Sequence, residues 1–378
     1  MTKIAPQSSE SVRSSAELIR LPPVSQNSKP KVGFVAGKRN VPVDVLRAAS
    51  MLYIVGFWHL LDYPASGIEW HGFWHLLDYP GGGLEWHHDA VTYRLTVLVL
   101  AIFVLISGYT IGNKRIELNA ETMCNFYIER FWRLYPPFFL ALVVFLVLGI
   151  TSWHIFVRGL TFTGMFFVPA PPTLWFVDLI VIYYMIAPFL IRLRSNISLF
   201  GLFFALIMIS MTAYQKVTHH MDHRLLIYFP CFAAGVFVSK RRIPFSPLAC
   251  GALLALAAAA LLCTLERPQE MLDQDVWSTP WALAGSLFVF VAVLNVGQQW
   301  RNRKFVFYLS SASYFMYLFH RPVYTIGIWL FPSNETVLQS IFLIAVCLPL
   351  TGGISWCCQH SYDKALGAYG FVPKPVTA

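Results

Sequence analysis

His59 closes the run VDVLRAASMLYIVGFWH, and His320 sits in SSASYFMYLFHRPVY; both are set among apolar residues. A neutral imidazole titrates near neutrality and is suited to taking a proton from a hydroxyl group. Arg47 lies twelve residues before His59, and Asp44 three before Arg47. Arg130 and Arg133, in NFYIERFWRLYPPFF, are three apart and share a helix face. Two guanidinium forks at that spacing can hold phosphate oxygens. Asp178 follows Trp175 in LWFVDLIVIYY, Arg94 opens an apolar run, and Arg321 follows His320. Ionisable side chains are costly in hydrocarbon and by default mark functional sites. Blander readings stand beside this one. Asp44 also reads as a helix cap, Arg94 and Arg321 as snorkelling side chains, the histidines as packing residues, and Arg130 with Arg133 as ordinary loop charge.

The elements that position these residues are membrane spans. The 378 residues are 57% hydrophobic and 12% charged, against about a quarter charged in a soluble domain. A spanning helix needs roughly 20 mostly apolar residues. Ten segments qualify: 42–61, 91–112, 134–152, 173–192, 197–214, 225–239, 247–265, 280–297, 307–331 and 336–358. The interval 153–172, broken by Gly, Arg and Pro, reads as a re-entrant or surface segment. The expected fold is an all-α polytopic bundle with both termini cytoplasmic. Its three parts are a disordered basic tail (1–40), a membrane domain (41–358) and a short cytoplasmic tail (359–378). With the N-terminus inside, the inner segments hold 21 Lys and Arg and the outer loops four. The net charge of +9 is then topology and not a nucleic-acid footprint. The seven cysteines have neither disulfide-framework nor zinc spacing. Arg47 and the phosphate-binding pair fall at the inner face and His59 at the outer. Twelve residues of helix separate Arg47 from His59 by about 18 Å and about a third of a turn.

Residues 56–71, GFWHLLDYPASGIEWH, recur as 72–87, GFWHLLDYPGGGLEWH. Local chemistry does not separate His59 from His75. Position does: only His59 continues the helix that carries Arg47, because Pro64 ends that helix before His75. The second copy is expected to be a loop insertion, which costs little closure entropy. The loop histidines match no metal-ligand pattern, and no metal is expected.

Several motifs recur in order along the chain. They are VDVLRAASMLYIVGFWH, IFVLISGYTIG, YIERFWRLYPPFFLA, LWFVDLIVIYYMIAPFL and SASYFMYLFHRPV. Together they resemble the membrane acyltransferase 3 family, the ten-span O-acyltransferases of bacterial envelopes and surface polysaccharides, from about residue 41 to 358. There is one departure. Eleven residues separate Arg47 from His59, where the family usually has ten. One residue turns a helix by about 100°. Either a local bulge absorbs it or the histidine faces a different way.

The resemblance implies a cytoplasmic acetyl-CoA donor, with no metal, and a hydroxyl acceptor on a polysaccharide or lipid-linked oligosaccharide. It places the protein in the bacterial inner membrane. Arg47, His59 and His320 would carry the chemistry, and Arg130 and Arg133, with Arg47, the donor. Asp178, Arg94 and Arg321, beside Trp175 and Tyr317, would form the outer polar cluster that meets the acceptor. Asp178 is expected to pair with Arg94 or Arg321. The competing class is a secondary transporter or flippase-like carrier of a lipid-linked sugar or small anion, since buried Arg, Asp and His also occur in proton-coupled carriers. A carrier often shows an inverted internal repeat, and the sequence has none.

Overall fold

The computed structural model describes residues 40–61, 90–114, 116–240, 246–265, 275–296, 303–333 and 335–368. The segment 62–89, with most of the duplication and His75, and the tail 1–39 lie outside the described residues. Among the described residues the chain is helical and has no strand. Helix α1 runs Val41–Tyr53, passes through a π turn at Ile54–Trp58 and ends at His59–Leu61. It is followed by α2 (Ala90–Gly112), α3 (Ala120–Val147), the short α4 (Trp153–Leu160), α5 (Trp175–Leu193) and α6 (Ile197–Thr218). Then come α7 (Arg224–Val238), α8 (Pro247–Leu262), α9 (Thr279–Val296) and α10 (Arg303–Leu330). The last helix, α11, runs Thr336–Phe342, through a second π turn at Leu343–Cys347, to Leu348–Ala368.

Each of the ten expected spans falls on one of these helices. Seven of the described helices are long and apolar enough to cross a membrane. α7 and α8 are apolar but shorter. α10 has the length, at 28 residues, but is interrupted by serines, His320 and Arg321. It lies inside the bundle, where Ala312, Leu318, His320 and Tyr324 are fully buried. α6 does the opposite and turns Ile197, Leu202, Leu206 and Ile209 outward. That outer surface suits lipid, and the chain is a multi-pass membrane protein.

Two boundaries differ from the sequence expectation. The third span was expected from 134, but α3 starts at Ala120, where the Asn119 side chain accepts the Thr122 N–H at 2.7 Å. Hydropathy marks only the part of a helix that meets lipid, and this extension is polar. Arg130 and Arg133 lie within α3, on one helix as their spacing implies. The last helix likewise continues to 368, past the expected limit of 358. The interval 153–172 forms α4 and a loop folded inward, with Met165 buried and its carbonyl accepting the Asp222 N–H at 2.8 Å.

The closest packing is between α2 and α7. A Cβ on Gly108 would collide with the Phe232 carbonyl oxygen, and one on Gly235 with that of Leu105. Small residues let helix backbones meet in lipid, where apolar side chains gain nothing from leaving water. α10 packs on α1 and on α11. The Ser310 hydroxyl donates to Asp44 Oδ1 at 2.6 Å, joining α10 to the first turn of α1.

Candidate active site

The extra residue of the first span is absorbed by the π turn. The His59 backbone N–H bonds to the carbonyl of Ile54, five residues back, not four. A π turn takes one residue out of α-helical register. Arg47 and His59 then stand as if eleven residues apart, about 20° from alignment instead of about 120°. α10 secures the turn. The Tyr324 hydroxyl donates to the Val55 carbonyl at 2.9 Å, and four residues earlier His320 meets His59.

His320 Nε2 lies 2.9 Å from His59 Nδ1, with the rings nearly parallel at 13° and centroids 4.9 Å apart. His320 Nδ1 faces the carbonyl oxygens of Tyr317 at 2.8 Å and Met316 at 3.1 Å. Carbonyl oxygens only accept, so this nitrogen carries the proton. In the neutral ring Nε2 is then an acceptor, and it takes the Nδ1–H of His59. That leaves the lone pair on His59 Nε2. A fully buried histidine thus fixes the tautomer of a half-buried one, the relation a general base needs from its orienting partner.

A cavity of about 390 Å³ leads from the basic end of the bundle, where Arg47, Arg130 and Arg133 line it. Arg130 lies over the rings of Tyr184 and Phe126, its carbon 5.5 and 5.9 Å from their centroids. Beside it Glu129 Oε2 is 2.6 Å from Lys114 Nζ. Burial, with Arg130 adjacent, pushes the Lys114 ammonium down to about 8, against the pull of Glu129. The C-terminal part of α11 adds Gln359 and Asp363 to the cavity wall. It is held there by the Tyr362 hydroxyl, which donates to the Trp132 carbonyl between the two arginines.

A smaller chamber of about 120 Å³ contains His59. Ile54, Leu100 and Tyr317 line both spaces, so the two adjoin. Trp58, Tyr93 and Trp175 give the chamber aromatic walls. It also holds a residue that sequence reasoning counted only as outer-loop charge. Arg224 binds Asp222 through Nε at 2.9 Å and Nη2 at 2.6 Å, and stacks on Trp175 with 3.9 Å from carbon to centroid. The acid two residues before it was the available signal.

Of the other expected site residues, Trp175 and Tyr317 line the His59 chamber, and Arg94, Asp178 and Arg321 line neither space. Arg94 is buried and directed to Thr264, with Nε 2.8 Å from Oγ1 and Nη2 2.7 Å from the carbonyl. Its own carbonyl accepts the Trp281 indole N–H at 2.9 Å, so it ties α2 to α9 and lines neither space. Asp178 is fully buried beneath the inward loop, and among the described residues neither carboxylate oxygen has a hydrogen-bond partner. The expected Asp178 pair with Arg94 or Arg321 is not formed: Thr264 engages the first, and the Nε of the second is buried without a partner. Tyr317 stands where the two spaces meet, its hydroxyl donating to the Thr173 carbonyl. Among the described residues no cluster of His, Cys, Asp or Glu could hold a metal ion.

Searches of curated proteins and of solved structures found no match. The sequence does match the acyltransferase domain that defines the acyltransferase 3 family, over residues 40–357. That range takes in the paired histidines and the three arginines of the cavity, and the chain belongs to the acyltransferase 3 family.

Proposed function

We propose that the protein is an O-acetyltransferase of the bacterial inner membrane. It moves an acetyl group from cytoplasmic acetyl-CoA to a sugar hydroxyl of an exopolysaccharide or other surface glycan, as a lipid-linked repeat unit, at the outer side. The observation that carries this reading is that the arginine-lined cavity adjoins the His59 chamber, with Ile54, Leu100 and Tyr317 common to both. Arg130, Arg133 and Arg47 hold the donor phosphates at the basic end. The thioester-bearing arm runs along the cavity toward Tyr317. The acceptor sugar enters the chamber from the other end, against Trp58, Tyr93 and Trp175, whose aromatic faces suit a pyranose ring. The bias of 21 Lys and Arg to four supports the inside-to-outside sense.

His59 Nε2 takes the acceptor hydroxyl proton as the oxygen attacks the thioester carbon. His320 Nε2 accepts from His59 Nδ1 throughout and steadies the imidazolium. Collapse breaks the C–S bond, and the proton on His59 passes to the sulfur of the leaving thiolate. Ester and free thiol are the products.

Membranes incubated with radiolabelled acetyl-CoA and lipid-linked glycan test the reading. Label should appear on the glycan in wild type and be lost in His59→Ala, while His75→Ala keeps most of it. Transport of the acceptor without label transfer would refute it.

A further inference from the structure

The mechanism above supplies a base but nothing to receive the negative charge that builds on the thioester oxygen. Unmet, that charge is the largest electrostatic cost of acyl transfer. The group that receives it must be a hydrogen-bond donor in the same space as His59, and it must be held in place beforehand. Among the described residues lining the His59 chamber, two hydroxyl donors are already engaged. The Thr96 hydroxyl donates to the Thr92 carbonyl at 2.9 Å, and that of Tyr317 to Thr173. Arg224 is the one lining residue with a permanent positive charge.

Its setting is that of a fixed fork. Asp222, itself buried, engages Nε and Nη2. Trp175 covers one face of the guanidinium plane. The Arg224 backbone N–H bonds to the same carboxylate at 3.0 Å, so side chain and helix start are fixed by one group. A guanidinium carries five N–H groups, and Asp222 takes one from each of two nitrogens. The ion pair with Asp222 and the stack on Trp175 hold these strongly polar N–H donors in place, so no reorganisation is needed when an oxyanion forms.

We propose that Arg224 is the oxyanion donor of the acyl-transfer step, with Asp222 and Trp175 as its positioning residues. The assignment rests on the acetyl-transfer reading above. As the acceptor oxygen bonds to the thioester carbon, the carbonyl electron pair moves onto oxygen, and Arg224 N–H groups hydrogen-bond to it. When the pair returns, the C–S bond breaks and the proton held by His59 goes to sulfur. Arg224 gives up no proton at any point.

The test is steady-state transfer from radiolabelled acetyl-CoA in purified, detergent-solubilised protein, with acetyl-CoA binding measured separately. Arg224→Ala should lower kcat by about 100- to 1000-fold, the loss typical of a removed oxyanion donor. Binding of acetyl-CoA should stay within about three-fold, a difference of about 0.65 kcal/mol. Added guanidinium ion should recover part of the lost kcat in Arg224→Ala and none in His59→Ala. Asp222→Asn, which keeps the arginine but loosens it, should fall between. Retained acetyl-CoA affinity shows that each variant is folded, and Arg224→Lys gives a second variant that keeps the charge without the fork. A wild-type kcat in Arg224→Ala, or a change confined to the acceptor KM, overturns the assignment and leaves the acetyl-transfer reading standing. Absence of turnover in the wild type overturns the reading itself, and the assignment with it.

Discussion

Deleting Gly56 should leave the catalytic geometry in place, because the π turn already discounts one residue. Gly56 lies inside the turn, and a Cβ there would sit 3.1 Å from the Leu348 side chain. Without it, Ile54–Trp58 can close as an ordinary α-turn, with eleven residues of regular helix from Arg47 to the histidine. The histidine then stays within about 20° of its present bearing and keeps its contact with His320. The Val55 carbonyl re-enters the helix ladder, so the hydrogen bond from Tyr324 is exchanged, at a cost of about 1 kcal/mol. Inserting an alanine after Gly56 does the opposite. A further residue turns the histidine by about 100° and carries its side chain about 8 Å around the helix, which breaks a 2.9 Å contact. Acetyl content of the glycan, with membrane levels of each variant checked by immunoblot, reads the difference. The deletion should keep activity within a few-fold of wild type and the insertion should abolish it. Loss of activity in the deletion at normal protein level, or survival of the insertion, would refute the register argument.

Replacing Arg130 and Arg133 together by alanine should weaken acetyl-CoA binding in purified protein by at least about 100-fold, since charge-assisted hydrogen bonds are worth roughly 1.5–3 kcal/mol each. Acceptor binding should change little, and an unchanged donor affinity would remove these arginines from the donor site. Gly235→Val should give little folded protein in detergent gel filtration, because the added carbons must displace the Leu105 carbonyl of the facing helix. Asp178→Asn should preserve activity and raise thermal stability, since an amide is easier to bury than an unpartnered carboxylate. A loss of activity at normal stability would give this carboxylate a direct role.

The sequence made the helices legible because lipid-facing and buried surfaces are both apolar, and every expected span has its helix. It hid what apolarity does not report. The first four turns of α3 carry Glu121, Glu129 and Arg130, so hydropathy started the span at 134 although Asn119 caps the helix well before it. The histidine pair was half visible. His59 and His320 stood out as polar residues in apolar runs, but their 2.9 Å contact spans 261 residues of sequence. The π turn showed itself only as one surplus residue against the family spacing. Arg224 was concealed by its own neighbourhood, because a charge at a helix start in an outer loop reads as solvated. Arg94 misled in the opposite direction: its depth pointed to function, and Thr264 with Trp281 gives it a structural task.

The close approach of α2 and α7 bears on how the protein moves. With backbone against backbone at Gly108 and Gly235, those helices have no side-chain layer in which to slide and behave as one block. α1 and α10 form a second block, riveted by Ser310 to Asp44 at one end and by His320 to His59 at the other. The arginine-lined cavity is walled by both, with Leu100 and Ser107 from the first and Met51 and Ser313 from the second. It therefore runs between the two blocks, which also meet directly where the Tyr53 hydroxyl donates to the Thr92 carbonyl at 3.1 Å. Both histidines ride on the same block. A shift of one block against the other would therefore leave the distance between the two imidazoles unchanged.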